Sequence, residues 1–260
     1  MKVELKDRTF GELVGQTYSL AAAHFGKLFV IVFAFSLPIW AVSYWMVVAQ
    51  EHAQNAQQVA TISAIGGLAV SLLSLILAPV EVGACTLLVA SSFTDGNPSL
   101  GDCIRLAFSR FGSILAASIT TGLIIGFGIV LFVVPGLMFL TWYFLTIPVL
   151  MVEKLGYQGA MARSKALTDG NRWPALGFYL VTTLVLMLVS GAVSGIVTTV
   201  GTTPLLGLVI QALVGAAVGT VGAVAPVVYY FNVRVEKEAF DIEALSSLVD
   251  AIGERGAAQR

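Results

Sequence analysis

The sequence predicts an all-α, polytopic integral membrane protein with six transmembrane helices. Hydrophobic residues make up 57% of the 260-residue chain, whereas Asp, Glu, Lys and Arg make up 11%, against about 25% in a soluble domain. So few charges cannot cover a water-soluble fold of this size, but a bilayer contacts apolar surface directly. Apolar runs also fill the chain almost continuously between Lys27 and Asn232, which predicts a single membrane domain over residues 1–238.

Six apolar runs approach or exceed the roughly 20 residues that a transmembrane helix requires. They are Leu28–Val48, Val59–Val80, Ser113–Val134, Leu137–Val152, Pro174–Val200 and Leu205–Phe231. The second run stays apolar as far as Phe93, which predicts a helix longer than the bilayer is thick. The fourth run is the shortest, and Glu153 and Lys154 at its end can reach the interface by snorkelling.

The basic residues predict the orientation, because Lys and Arg near span ends concentrate on the cytoplasmic side. With six spans, the N-terminus, the second and fourth loops and the C-terminus share one side. All fourteen basic residues of the chain fall on that side. We therefore predict that both termini are cytoplasmic.

Aromatic residues are expected to form belts at the two membrane interfaces. With this topology Trp40, Tyr44, Trp45, Trp142 and Tyr143 lie towards the outer interface. The inner belt contains Trp173, Tyr229 and Tyr230.

Two segments on the predicted cytoplasmic side share a pattern. Thr9–Glu12 and Ser99–Asp102 both read hydroxyl, apolar, Gly, acid, which is typical of a capped helix start. Each continues as an amphipathic helix and ends in Phe-Gly, at Phe25-Gly26 and Phe111-Gly112, before entering a span.

A weaker third copy follows between Tyr157 and Leu167, and Pro-Val pairs recur late in the even-numbered spans, at Pro79, Pro148 and Pro226. We therefore predict a threefold repeat of an amphipathic helix and a transmembrane hairpin, over about residues 9–94, 98–154 and 155–238. Repeats in one orientation are related by a pseudo-axis along the membrane normal. Chance likeness between helices of similar composition is the alternative.

The amphipathic segments suit the inner membrane interface, where their basic flanks meet anionic headgroups. The predicted interfacial anchors are Phe10, Tyr18, Leu100, Phe108 and Trp173. Simple packing on the bundle is the alternative. Residues 239–252 predict an acidic amphipathic helix that docks on protein rather than on anionic lipid, and 253–260 predict a disordered tail.

Several motifs carry a family resemblance. They are Gly11–Leu13, Val134–Leu137, Ala162–Trp173 and Tyr229–Arg234, followed by acids from Glu236 to Asp241. Over nearly its whole length the chain resembles the bacterial glycerophosphoryl diester phosphodiesterase membrane-domain family, which is allied to the YciC-type inner-membrane proteins. One departure is Asn232, where the pattern has an acid.

The resemblance implies a bacterial inner-membrane module that acts on or near lipids. In fused members of the family the phosphodiester chemistry belongs to a separate soluble barrel, whose metal-binding acids and histidines have no counterpart here. The resemblance therefore implies no catalytic residues for this chain.

The residues themselves predict no catalytic site, no metal site and no cofactor. His24 and His52 lack neighbours at metal-ligand spacing. Phosphate-loop, HExxH and nucleophile-elbow patterns are absent from the sequence. The net charge of −1 gives no reason to expect a nucleic-acid partner. Cys85 and Cys103 fall on the predicted cytoplasmic side, where thiols stay reduced.

Glu81 is the one acid inside a hydrophobic run, and an ionisable residue in a span is a functional candidate. It could carry a proton or bind a cation in a transporter. Alternatively it lies at the inner interface and pairs with Arg105 or Arg110.

Arg163, Arg172 and Arg234 are candidates for binding lipid phosphates through bidentate hydrogen bonds. Such binding requires that the three repeats bring them together. Alternatively they set the topology and pair with nearby acids, which are Glu153, Asp169, Glu236 and Glu238.

Small residues at four-residue spacing predict close helix packing in lipid. The Gly-x-x-x-Gly pairs are Gly122/Gly126, Gly191/Gly195 and Gly215/Gly219, and Ser63, Gly67 and Ser71 form a similar row. We expect packing within the chain, with a homodimer contact as the alternative.

Together these features predict a non-enzymatic inner-membrane protein that interacts with lipids or membrane partners through its cytoplasmic face and organises, regulates or protects the membrane. Its partners are membrane lipids, and a second copy or another membrane protein is the further class of partner. The competing hypothesis is a transporter or channel for an amphiphilic or apolar small molecule, supported by the repeats, the prolines within spans and Glu81.

Overall fold

The computed structural model describes residues 9–91, 98–201 and 203–238, and within these ranges the chain folds into ten helices. They are α1 (Phe10–Ala23), α2 (Phe25–Glu51), α3 (Ala56–Ala90), α4 (Leu100–Ser109), α5 (Phe111–Leu131), α6 (Val133–Tyr143), α7 (Thr146–Val152), α8 (Tyr157–Thr168), α9 (Arg172–Thr199) and α10 (Pro204–Glu238). The acidic helix predicted at 239–252 and the tail at 253–260 lie outside the described residues.

Six helical segments are long and apolar enough to cross a membrane, which confirms the prediction of a multi-pass membrane protein. They are Phe25–Glu51, Ala56–Ala90, Phe111–Leu131, Val133–Val152, Arg172–Thr199 and Pro204–Lys237. The fourth comprises α6 and α7 together.

The six spans form a closed ring of hairpins. In chain order α2 packs on α3, α3 on α5, α5 on α6, α6 on α9 and α9 on α10, and α10 returns to α2. We call the end that carries the three hairpin turns (52–55, 132 and 200–203) the turn end. The opposite end carries α1, α4, α7, α8 and all nine basic residues among those described, and we call it the basic end.

The short helices α1, α4 and α8 follow the same cyclic order. Helix α4 packs on the α2–α3 hairpin, α8 on α5, α6 and α7, and α1 on the α9–α10 hairpin. The joints at which they pass into the spans also match. The backbone φ and ψ angles are −111° and 16° at His24, −106° and 11° at Arg110, and −114° and 28° at Asn171.

Both predicted capped starts form. The Glu12 carboxylate accepts hydrogen bonds from the Thr9 backbone N–H at 2.8 Å and from its hydroxyl at 2.9 Å. Ser99 accepts a hydrogen bond from the Asp102 N–H at 3.1 Å, and its hydroxyl donates to the Asp102 carboxylate at 2.6 Å. These bonds satisfy groups that every helix start leaves unpaired.

The two ends of the bundle are built differently. Helices α3 and α10 each contain 35 residues, about 52 Å at 1.5 Å per residue, whereas the hydrocarbon layer is about 30 Å thick. Their later parts, 83–90 and 223–233, are buried, and so is most of α7. The first half of α3 is largely exposed, and the first half of α10 is mostly half-buried. Protein therefore packs against protein at the basic end, and the turn end presents its surface to lipid.

The fourth span is interrupted between Tyr143 and Thr146. Pro148 has no N–H to donate to the carbonyl four residues earlier, which favours a break there, although Pro79 and Pro226 lie within unbroken helices. Ser164 of α8 supplies the lost partners, because its hydroxyl donates to the Trp142 carbonyl at 2.7 Å and accepts from the Leu145 N–H at 3.2 Å.

Because the fourth span is interrupted, the position predicted for Trp142 is wrong. The sequence placed Trp142 towards the outer interface, but its ring lies beside Lys165 and Arg172 at the basic end. The prediction assumed one continuous fourth span. Helix α7 instead belongs to the buried layer of the basic end, which places the preceding residues near the start of α9.

The glycine pairs divide into two kinds. A Cβ atom added to Gly215 or Gly219 would lie 3.3 Å from Trp40 Cζ2 or 2.9 Å from Val32 Cγ1, so this pair packs on α2 as predicted. The prediction of packing within the chain is wrong for the Gly122/Gly126 and Gly191/Gly195 pairs, whereas in the third row Ser63 accepts a hydrogen bond from the Gln50 amide of α2 at 3.1 Å. No atom lies within 4 Å of a Cβ added at Gly67, Gly122, Gly126, Gly191 or Gly195, because these positions lie in the open outer parts of their helices.

The α5–α6 turn needs glycine for a steric reason. Only Phe132 separates the two helices, so their backbones nearly touch. A Cβ on Gly128 would lie 2.9 Å from the Gly136 Cα, and a Cβ on Gly136 would lie 2.7 Å from the Ile129 nitrogen. Backbone atoms cannot move aside as a flexible side chain can.

We predict that Gly136→Ala lowers the free energy of unfolding in detergent by about 1–3 kcal/mol, as overpacking does in other tight sites. Gly126→Ala is the matched control, since its added methyl meets open space and alanine favours the helix by up to about 1 kcal/mol. Thermal unfolding of both variants checks this. Equal midpoints would contradict the proposed backbone contact.

Candidate functional site

A polar cluster lies at the basic end, where α7, α8 and α10 meet. The Glu153 carboxylate is at its centre, with Arg163 Nε at 3.0 and 3.2 Å from the two oxygens and Arg234 Nη1 at 3.7 Å. The Tyr230 hydroxyl donates to the same carboxylate at 3.1 Å and accepts from Arg234 Nη1 at 3.0 Å. The Glu153 and Arg234 side chains are only 16% and 15% exposed, so this network is shielded from water.

The chain reversal after α7 positions Glu153. Lys154 has a φ of +55°, a left-handed conformation that is uncommon outside glycine. Arg110, at the joint of α4 and α5, donates to the carbonyls of Leu150 at 3.2 Å, Lys154 at 3.3 Å and Leu155 at 3.4 Å. A cation at these unpaired carbonyls caps the end of α7.

A second group of cations surrounds Trp142, where α6, α8 and the start of α9 meet. Lys165 Nζ lies 4.2 Å from the ring centroid and Arg172 Cζ lies 5.2 Å from it, both within the range of cation–π attraction. Arg172 pairs through Nη2 with Asp169 at 2.5 Å. Among the described residues, the buried Nε of Arg172 and Nε1 of Trp142 have no hydrogen-bond partner.

The end of α10 is tied to the joint of α8 and α9. Lys237 donates to the carbonyls of Ala166 and Asp169, at the end of α8. The Asn171 amide donates to both Glu236 oxygens at 2.8 Å. These contacts join the polar cluster around Glu153, which we call the Glu153 cluster, to the group formed by Lys165, Arg172 and Trp142, which we call the Trp142 corner.

The three predicted lipid-binding arginines do not form one group. Arg163 and Arg234 share Glu153, whereas Arg172 lies apart with Asp169. Their pairing with acids is the alternative that the sequence left open. Glu236 binds Asn171 through its carboxylate, and the side chain of Glu238 is outside the described part of the chain.

Sequence reasoning missed Lys165 and Trp142 as neighbours of Arg172. Lys165 is exposed, and among the described residues it makes no ion pair. Trp142 precedes it by more than twenty residues, and no local pattern links the two. The signal that could have joined them is Pro148, which predicts a break in the fourth span.

The predicted interfacial anchors differ in their surroundings. Phe10 packs edge-on against Phe178, with ring centroids 6.4 Å apart, and Phe108 stacks on Phe35 at 5.8 Å. Leu100 and Tyr18 are partly buried on the bundle. Trp173 is 81% exposed at the start of α9. Phe10 and Phe108 are 43% and 49% exposed, so Trp173 is the anchor most available to a membrane interface.

Glu81 lies partly buried on α3, two residues after Pro79. The pairing predicted with Arg105 or Arg110 does not form, because Arg105 is exposed and Arg110 caps α7. Glu81 lies 25 residues after Ala56, about 38 Å along the helix. That distance exceeds the hydrocarbon thickness of about 30 Å and favours a position near the basic-end interface.

The cysteines are free and buried. Burial raises the pKa of the Cys103 thiol to about 11, which leaves it protonated and unreactive near neutral pH. Among the described residues, no group of three or more His, Cys, Asp or Glu side chains could hold a metal ion.

Comparison of the chain with family models, curated proteins and solved structures finds no match. The resemblance to the glycerophosphoryl diester phosphodiesterase membrane-domain family therefore stays a prediction.

We predict that Glu153→Gln lowers the free energy of unfolding by about 1–3 kcal/mol, since it leaves two shielded arginines without their shared anion. Asp169→Asn is the control. Its carboxylate is mostly exposed, and an exposed ion pair contributes less than about 1 kcal/mol. Thermal unfolding in one detergent compares them. A larger loss for Asp169→Asn would show that Glu153 does not organise the basic end.

Proposed function

We propose that this is a non-enzymatic membrane protein that binds the headgroups of anionic lipids at its basic end, in the corner formed by Lys165, Arg172 and Trp142. The observation that carries the proposal is the arrangement of two cations, Lys165 and Arg172, over one indole ring. Lipid phosphates are strong hydrogen-bond acceptors for ammonium and guanidinium groups.

The position of the corner supports this assignment. It lies where α9 begins, beside the exposed Trp173, and tryptophan at span ends is typical of the headgroup level. Among the side chains that the structure describes in the surrounding region, cations outnumber anions. Its basic residues are Arg163, Lys165, Arg172, Arg234 and Lys237, and its acids are Glu153, Asp169 and Glu236.

Arg163 and Arg234 have a supporting role in this proposal. Each pairs with Glu153, and together with Tyr230 they hold α10 against α7 and α8. Arg163 and Arg234 thus stabilise the packing around the corner and add to its positive electrostatic potential. Arg172 and Lys165 contact the phosphate.

We further infer that the basic end faces the cytoplasm of a bacterial inner membrane and that the chain is a threefold repeat. The grouping of the described basic residues at that end supports the orientation. The cyclic packing of the ring and the matching joints at His24, Arg110 and Asn171 support the repeat. The family resemblance, with its link to lipids, agrees with both.

A transporter or channel for an amphiphile is the second candidate. The observation in its favour is Glu81, a partly buried carboxylate that makes no ion pair with the described residues. The scarcity of charged side chains along the spans favours an apolar or amphiphilic substrate over an ion.

Native mass spectrometry of the purified protein with added phosphatidylglycerol or phosphatidylcholine tests headgroup binding. We expect selective retention of phosphatidylglycerol, and a roughly tenfold loss of that retention in the double variant Lys165→Gln/Arg172→Gln, because charge-assisted hydrogen bonds contribute about 1.5–3 kcal/mol. Arg172→Lys should lose part of it, since lysine keeps the charge without the planar fork.

Arg105→Gln is the matched control, because Arg105 is also exposed at the basic end but lies away from the corner. An equal loss in this variant would assign the binding to general electrostatics. Equal retention of both lipids by the unaltered protein would refute the proposal.

A further inference from the structure

The first helix of the middle hairpin is shorter than the first helices of the other two hairpins. Helix α5 has 21 residues, whereas α2 has 27 and α9 has 28. All three start at joints of nearly the same backbone conformation, at the basic end. A difference of six or seven residues corresponds to about 10 Å of helix.

The second helices of the three hairpins give the same result. Pro148 follows the first residue of α6, Val133, by 15 residues, whereas Pro79 follows Ala56 by 23. In α10, Pro226 follows Pro204 by 22 residues. Counted from these prolines, the α5–α6 turn again lies about 10 Å closer to the basic end than the turns of the other two hairpins.

The middle turn also differs from the other two in polarity. The two longer hairpins end in polar turns, Gln50–Gln58 and Thr198–Thr203. The middle tip, residues 129–134, contains only Ile, Val, Leu and Phe. Val130, Phe132 and Val134 are 83%, 74% and 68% exposed, so the tip buries almost none of this apolar surface against the chain.

The backbone of the tip suits a site without water. Only Phe132 lies between the helices, and its N–H donates to the Gly128 carbonyl at 3.0 Å while its carbonyl accepts from the Gly136 N–H at 3.4 Å. Pro135 has no N–H to leave unpaired. These two bonds and the proline reduce the number of unpaired backbone groups, each of which is expensive in hydrocarbon.

We propose that the tip of the α5–α6 hairpin ends inside the bilayer hydrocarbon. The shorter hairpin leaves a gap between the turn ends of its two neighbours, which we call the notch, and acyl chains of the leaflet at the turn end fill it. Helices α3 and α9 flank the hairpin and expose apolar side chains in their turn-end halves, at Leu68, Leu72, Met187 and Leu188. These exposed side chains are apolar, which matches the chemistry of acyl chains rather than water. This inference is independent of headgroup binding at the basic end.

Single-cysteine labelling in proteoliposomes tests the depth of the tip. The buried native thiols react slowly, so Phe132→Cys, Gln54→Cys and Thr203→Cys can be made in the otherwise unaltered chain. We expect a membrane-impermeant maleimide to label Gln54→Cys and Thr203→Cys at least tenfold faster than Phe132→Cys. After detergent is added, the three rates should converge. Comparable rates before detergent would place the tip in water and overturn the proposal.

The occupant of the notch is tested with a bimane fluorophore at the same position. Lipids carrying a doxyl group on the acyl chain should quench it more strongly than lipids labelled on the headgroup. Slow maleimide labelling without such quenching would mean that protein, such as a second copy, covers the tip, and would overturn the assignment to lipid. Val130→Cys repeats both measurements if Phe132→Cys does not fold.

Discussion

The convergence of α3, α7 and α10 in a buried core at the basic end is the contact on which the rest of the structure depends. The later parts of α3 and α10 and most of α7 are removed from water and lipid. Hydrophobic burial drives this packing where water reaches the protein, but between helices in lipid that drive is absent. Packing is accordingly concentrated at one end, and the polar clusters are built onto that end.

Each polar contact at the basic end solves a problem that this convergence creates. The broken fourth span needs partners for its backbone, and Ser164 provides them. The end of α7 needs a cap, which Arg110 provides. The charges brought together by α7, α8 and α10 need pairing, and Glu153 provides it. The Trp142 corner differs because it brings two cations, Lys165 and Arg172, over one ring, which makes it the candidate for binding an anion.

The hydropathy pattern and short local motifs predicted the six spans and the two capped helix starts, because these depend on local chemistry and on the fixed thickness of a bilayer. Glu153 and Asp169 were among the predicted partners of the arginines, since they lie on the same predicted side. The partner of each arginine could not be assigned, because that depends on how α8 packs across the fourth span. Gly122/Gly126 and Gly215/Gly219 show the same limit, since identical spacing faces open space in one pair and α2 in the other.

If the six spans place the turns on one side of the membrane, every basic segment lies on the other. Alkaline phosphatase inserted into the full chain, and expressed in a bacterial host, measures this directly, because the enzyme forms its disulfides only outside the reducing cytoplasm. The account predicts activity for insertions after Gln54 and after Gly201, and none for insertions after Gly156 or at the C-terminus. Activity after Gly156 would contradict it, because the Glu153 cluster and the Trp142 corner would then lie on the opposite side from the one predicted.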